Sequence, residues 1–563
     1  MTAKATKKPL EIVDVEEIER ILEHARASLS EEEHRKLTAA IETLAYLTSR
    51  IEDKKTTIRH LRKLLFGSKS EKTDRVLGKE TEEDESPSAD QTDTAAAQSG
   101  EAEENESNSD GESGTEKKPK KKGHGRNGAK EYVGAQQIDV PHESLKPGCA
   151  CPDSPCKGTL YRLREPKVIV RLRGQAPVAA EVYHLERVRC NLCLKIYTAS
   201  APEGVGEKKY DETSAAMIAL LKYGSGLPFN RLARLEGNLG IPLPVSTQWD
   251  IVNELARTIE EAFAELIRQG AQADVVHNDD TTMKILELMK ENRERILADD
   301  DPGRSGIFTS GIVTVKDDLR IALFFTGREH AGENLAKILA EREAELEPPI
   351  QMCDALSRNV SKEFETIVAN CLSHARRMYV DVVENFPQEV RFVLETLREV
   401  FRNEATARKL GLSAEERLAY HREKSLREMA KLRFWMYRQL RDRLVEPNSG
   451  LGKAIAYMQK HWRKLTRFLF VAGAPLENNI CERSLKRAII HRKNSLFYKT
   501  QNGARVGDLF MSLIATCQLS KVNPFDYLVE LQRHAAELAE DPAAWMPWSY
   551  RSTLERATDS VTA

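Results

Sequence analysis

Residues 273–282 read ADVVHNDDTT, an apolar run that ends in two carboxylates. Two further strand-like runs follow, GIFTSGIVTV (306–315) and RIALFFTG (320–327), joined by the Lys316-Asp317-Asp318 turn. HAGENLAKILAERE (330–343) has helical periodicity, and PPIQMCDALSRN (348–359) is a short apolar run ending in Asp354. The predicted order is β-β-β-α-β, with acids at the ends of the first and fourth strands. Neighbouring strands of a mixed sheet can bring two such acids to one divalent site. Two Mg²⁺ ions about 3.5–4 Å apart can activate an attacking oxygen and stabilise a leaving one in phosphoryl transfer. A single Asp at a strand end is ordinarily a turn former. Two at matching ends of this layout carry more weight.

A third acid is expected further along. PLENNICERSLKRAIIHRKNSLFYKTQNGARVG (475–507) contains Glu477 and Glu482, and the 25 residues from Arg483 to Gly507 hold seven Lys or Arg and no acid. An acid opening a purely basic stretch suits an enzyme that holds metal on one side and phosphate on the other. Pro475 favours a helix beginning near Glu477. Glu482 then lies inside that helix, Lys486 follows one turn later on its face, and Arg483 and Arg487 flank it for phosphates. Glu477 at the helix start is equally explained by the helix dipole, so Glu482 is the expected third acid.

Between Asp354 and this stretch lie more than 100 residues of helical pattern, including Ser413 and Glu416 at capping-box spacing. They read as a helical insertion dividing the catalytic fold. Upstream, FNRLARLEGNLG (229–240), the breaker IPLP (241–244) and VSTQWDIVNELART (245–258) read as helix-turn-helix.

A strand-rich segment precedes these helices, with alternation in VIVRLRG (168–174) and VYHLERVRC (182–190). Cys151-x4-Cys156 and Cys190-x2-Cys193 make two knuckle-like pairs, the donor set of a closed structural Zn²⁺ site, although Cys149 competes with Cys151. Residues Leu77–Glu116 contain fourteen acids and a single Lys, a composition that cannot bury enough apolar surface to order itself. KKPKKKGHGRNGAK (117–130) follows at once as a basic arm suited to DNA phosphates. Nearer the start, Ser30 and Glu33 have capping-box spacing. Leu37, Leu44, Ile51, Ile58 and Leu65 then recur every seven residues, a short zipper that predicts at least a dimer.

The chain has 563 residues, room for about three to five domains, and a net charge of −2 in which acid and base are segregated. No apolar run approaches the ~20 residues that span a bilayer. The start has no apolar export segment, and nine cysteines are too few for a disulfide scaffold, so the expected compartment is cytoplasmic, with nucleoid association when bound to DNA.

Five stretches together resemble the transposase of the bacterial insertion sequence sixty-six family: LRKLLFGSKSEKTDRVL (61–77), HNDDTT (277–282), CLSHARRMY (371–379), SGLGKAIAYMQKHWRKLTRF (449–468) and ENNICERSLKRAIIHRKNSLF (477–497). The resemblance covers nearly the whole chain outside the acidic segment. It implies a DDE transposase with an α/β, RNase H-like core split by an α-helical insertion, an N-terminal zipper and a zinc-finger DNA-binding region. The family's Asp-Glu-Thr-Pro falls on Asp279-Asp280-Thr281-Thr282, departing at the second and fourth positions, which makes Asp279 the first acid and leaves Asp280 as a rival. Asp354 matches the second acid. Asn-Asn-x-x-Glu-Arg falls on Asn478 to Arg483, which makes Glu482 the third. His374, Arg376 and Arg377 match the family's His-Ala-Arg-Arg, and Arg492, Lys493 and Asn494 its Arg-Lys-Asn, both expected on DNA.

The resulting domain plan is 1–76 zipper region, 77–130 acidic linker and basic arm, 131–205 zinc-binding domain and 206–272 helix-turn-helix-like region. The core's first part is 273–378, the insertion 379–466, the core's second part 467–535 and the tail 536–563. The function implied is Mg²⁺-dependent cleavage at element ends and strand transfer into target DNA, with no covalent protein intermediate and with Mn²⁺ able to substitute. Expected partners are the terminal inverted repeats, target DNA, a second copy of the chain and accessory element-encoded proteins. The competing readings are a non-catalytic DNA-binding relative and a metal nuclease without strand transfer.

Overall fold

The structure, a computed structural model, describes residues 32, 34, 37, 38, 147–149, 176–189, 196–203, 208–297 and 304–562. The chain divides into two units, Met1–Glu83 with Pro177–Ala563, and Asp84–Ala176; every regular element among the described residues belongs to the first.

A two-stranded antiparallel hairpin comes first, β1 (Arg187–Arg189) with β2 (Ile196–Thr198). The alternation from Val182 predicts a longer strand, but 182–186 are exposed and irregular, and β1 is three residues long. Apolar alternation without a face to cover does not hold a strand. Four helices follow: α1 (Glu212–Ala219), α2 (Phe229–Asn238), α3 (Val245–Thr258) and α4 (Glu260–Ala271). A single π-turn, Leu220–Gly224, extends α1.

The central sheet then forms from β3 (Val275–Thr282), β4 (Phe308–Lys316), β5 (Leu319–Gly327), β6 (Ile350–Cys353) and β7 (Ile367–Asn370), in the order β5-β4-β3-β6-β7. β3, β4 and β5 form an antiparallel meander, whereas β6 and β7 add in parallel on the other side of β3. Two helices interrupt the strands. α5 (Leu286–Leu297) lies between β3 and β4, and α6 (Ala331–Leu339) makes the crossover to β6. Residues 309–314 of β4 are all buried, as expected where both faces of a sheet are covered.

After α7 (Leu372–Val380) come α8 (Pro387–Lys409), α9 (Ala414–Lys424), α10 (Leu426–Arg441), α11 (Gly450–Lys460) and the short α12 (Trp462–Leu465). α9 opens with the capping box read from Ser413 and Glu416. These helices bury Leu394, Met436, Ile455 and Leu465 against Met352 and Ala369 of β6 and β7, in a core of their own. The long excursion closes on itself, because the Leu372 N–H donates to the Leu476 carbonyl at 2.9 Å.

The chain then re-enters the sheet layer as α13 (Asn479–Ser495) and α14 (Gln501–Leu519), followed by α15 (Pro524–Arg533), α16 (Ala535–Glu540) and α17 (Tyr550–Thr562). α14 lies along the free edge of β5. Thr516 Oγ1, Ser512 Oγ and Asp508 Oδ2 accept the N–H groups of Ala322, Phe324 and Thr326 at 3.1, 2.9 and 2.7 Å. Three polar residues four apart on one helix face thus match alternate residues of a strand, and an edge that could pair with another chain is covered. Among the described residues no helix is long and apolar enough to cross a membrane.

Candidate active site

Side chains of a strand point alternately to its two faces, so Asp279 and Asp280 of β3 face opposite ways. Asp280 is committed to structure: it accepts from Ser310 Oγ at 2.8 Å and meets His330 Nδ1 at 3.0 Å, with 1% of its side chain exposed. Asp279 lies on the face that α13 covers. Its Oδ1 accepts the Asp280 N–H at 2.8 Å. Its pKa is pushed up to about 7, chiefly by burial, with the charges of Asp354, Glu482 and Asp280 adding and the backbone hydrogen bond opposing. Of the two rivals, Asp279 is therefore the one the structure places near the other two acids.

Asp354 follows β6 directly. Its Oδ1 accepts the Leu356 N–H at 3.0 Å and Asn359 Nδ2 at 2.8 Å. The same Asn359 amide reaches Asp279 Oδ1 at 3.5 Å, so one buried side chain spans both carboxylates. Its carbonyl takes hydrogen bonds from Asn278 and Gln351, each at 2.7 Å, and its own Oδ1 is buried without a partner. Sequence reading did not single out Asn359; the available signal was an Asn five residues beyond an expected catalytic acid.

Glu482 arrives on α13, which sits close on the sheet because Gly311, opposite Asp279 on β4, has no side chain. A Cβ there would meet Leu485 Cδ1 at 2.9 Å, and Cys481 Sγ donates to the Gly311 carbonyl at 3.2 Å. Asn478, the N-cap residue, pins the helix start. Its Oδ1 meets His277 Nδ1 at 3.1 Å, its Nδ2 donates to the Asn278 carbonyl at 3.1 Å, and its N–H donates to Cys371 Sγ at 3.3 Å. Burial lowers the His277 pKa to about 4, so this imidazole is neutral.

The expected helix start is corrected here. α13 begins at Asn479, Glu477 lies outside it, and Glu482 stands in its first turn. Pro475 leads into the segment without opening the helix. Glu477 instead accepts from Ser373 Oγ at 3.1 Å. Glu482 points at α7, where its Oε1 lies 3.6 Å from His374 Nδ1.

Residues expected on DNA divide into two groups. Arg483, Lys486 and Lys493 are exposed on α13, and Arg377 is exposed on α7 with Arg376 half-buried. Arg487 is turned inward, contrary to the flanking role expected of it: Nη2 bonds Gln518 of α14 while Nε and Nη1 are buried without partners. Arg492 bonds the Thr281 hydroxyl at 3.1 Å and also Thr282, tying the basic helix to the end of β3. Asn494 donates to the Gly226 carbonyl at 3.1 Å. Cys151, Cys156, Cys190 and Cys193 lie outside the described residues, as do the basic arm and nearly all of the heptad run. Cys149 is exposed.

A mixed sheet with acids from β3, the end of β6 and a returning helix defines an α/β protein with a polar, carboxylate-centred site. The family model described as Transposase IS66 family matches residues 208–506, which span the sheet, the insertion and all three acids. The chain belongs to that family. It is also similar to three proteins of Sinorhizobium fredii. The uncharacterized protein y4jD is 25% identical over 454 residues, 76% of this chain and 84% of its own. The uncharacterized protein y4hP is 26% identical over 388 residues, 65% of this chain and 67% of its own. The uncharacterized protein y4qI is 25% identical over 349 residues, 60% of this chain and 62% of its own. No solved structure matches.

Proposed function

We propose that this protein is a DDE transposase that cleaves DNA at the ends of an insertion sequence and joins them to target DNA, with Asp279, Asp354 and Glu482 as its acids. The observation carrying this reading is the convergence of three carboxylates from distant parts of the chain, close enough that two of them raise the Asp279 pKa. The five-stranded sheet, in the order β5-β4-β3-β6-β7 with Asp279 on its central strand, supports reading it as the RNase H-like core that the resemblance implies.

A divalent cation fits these residues. The donors are all oxygen, which suits Mg²⁺ or Mn²⁺. The carboxylates repel one another, and the buried oxygens Glu482 Oε1 and Asn359 Oδ1 have no hydrogen-bond partner. Asp279, Asp354 and Glu482 would hold Mg²⁺, which when bound makes water or a 3′-hydroxyl a better nucleophile and stabilises the leaving oxygen. Asn359 keeps Asp279 and Asp354 at a fixed separation. Asp280 stays outside the reaction, holding β3 to β4 through Ser310 and to His330. Arg483, Lys486 and Lys493 bind phosphates along the exposed face of α13, and Arg376 and Arg377 extend that surface. No side chain becomes covalently linked to DNA. Cys151, Cys156, Cys190 and Cys193 would hold a structural Zn²⁺, and the zipper would bring two copies to paired element ends.

The test is a gel assay with labelled element ends and Mg²⁺. Asp354→Asn is expected to bind DNA within about threefold of wild type and to lose cleavage by at least about 10³-fold, since it removes metal affinity and leaves the phosphate contacts. Full cleavage by this variant would remove Asp354 from the site and with it the catalytic reading.

A further inference from the structure

Beside the all-oxygen acids lies a second donor set of different chemistry. Cys371 caps the start of α7, His374 stands in the first turn of that helix, and Glu482 faces both from α13. Sγ of Cys371, a ring nitrogen of His374 and a carboxylate oxygen of Glu482 all lie within 4.8 Å of one another. His374 Nδ1 and Glu482 Oε1 are both buried, both without a hydrogen-bond partner, and 3.6 Å apart. That separation is too long for a good hydrogen bond. It is close to the ~3.3–3.5 Å expected between two N and O ligands of one tetrahedral ion with bonds of ~2.0–2.2 Å. Two buried polar atoms that face each other and bond nothing are costly unless a third group satisfies both.

We infer that Cys371, His374 and Glu482 form a three-ligand site for a borderline-soft divalent cation, Zn²⁺ above all, with the fourth position open to water. Sulfur, imidazole and carboxylate together select zinc, whereas magnesium takes oxygen alone. Metal binding displaces the thiol proton to solvent. The Asn478 N–H already directed at Sγ favours the thiolate once the ion is present.

Binding at this site stands on the geometry alone. Its consequence rests on the DNA-cleaving reading above: an ion held here engages Glu482 away from Asp279 and Asp354, so zinc inhibits the magnesium-dependent reaction.

The experiment titrates Co²⁺ into the chelator-stripped, reduced full chain and follows the thiolate-to-cobalt charge-transfer band. Wild type is expected to bind about one equivalent more per chain than either Cys371→Ser or His374→Gln, the logic of a single site that needs all three ligands. The half-exposed His374 guards against a folding defect at the buried Cys371. Equal stoichiometry in wild type and both variants would overturn the site. Because no DNA is present, that result would leave the transposase reading standing, and loss of DNA cleavage alone would leave the zinc site standing.

Discussion

At the scale of single residues, Asp279 has few hydrogen-bond donors to offset its burial. Its neighbour Asp280 receives a hydroxyl and an imidazole. Asp279 receives one backbone N–H, a distant amide and the repulsion of Asp354, Glu482 and Asp280 itself. A carboxyl whose folded pKa is raised from 3.8 to about 7 stabilises the fold below its unfolded pKa, and that stability is lost as pH rises through the folded value. In chelator, Asp279→Asn is therefore expected to melt above wild type at pH 8, with the gap closing towards pH 4, and added Mg²⁺ should raise the melting temperature of wild type alone. Thermal scans across that range check this; a gap independent of pH would mean that Asp279 is not a strained acid.

At the scale of elements, the edge of β5 is sealed by α14 through Asp508, Ser512 and Thr516. Asp508 is 5% exposed, and burial pushes its pKa up to about 7 against the hydrogen bonds from Thr326. By the same sign, its contribution to stability falls between pH 4 and 7. Asp508→Asn should gain on wild type by about 1.4 kcal/mol per pH unit across that interval, as an upper bound from linkage. Denaturant melts at pH 5 and pH 7 measure the difference, and a constant offset would show that Asp508 is ionised throughout.

The strands β3 to β6 and the crossover helix α6 were legible because each is an apolar run bounded by a turn or a breaker. β7 was not, because Ile367–Asn370 is four residues of IVAN with no alternation to count. Nor was α5, whose LELMKENRERIL has a narrow apolar stripe in a charged sequence. Pro475 points to a helix start too early, because Asn478 takes the N-cap position and turns its side chain away from its own helix to bond β3. Asn359 and the pairing of His374 with Glu482 are contacts between distant segments, and no local pattern announces them.

At the scale of the whole molecule, the acids are separated by helices that the sheet does not need. Six helices, α7 to α12, lie between Asp354 and Glu482, yet the hydrogen bond from Leu372 to Leu476 brings the two ends of the excursion through α8 to α12 together. The cost of closing so long a loop grows only as the logarithm of its length, and the excursion buries a core of its own. An insertion of this kind leaves the site intact while adding surface beside it. The central claim is that Glu482, returned by this route, completes the acid set, whereas Glu477, held by Ser373, does not. The most direct measurement incubates labelled element ends and a target plasmid with Mg²⁺ and scores cleavage and joining for wild type, Glu482→Gln and Glu477→Gln. Wild type should do both, Glu482→Gln should lose both by about 10³-fold or more, and Glu477→Gln should retain both within about tenfold. A dead Glu477 variant beside an active Glu482 variant would contradict the account.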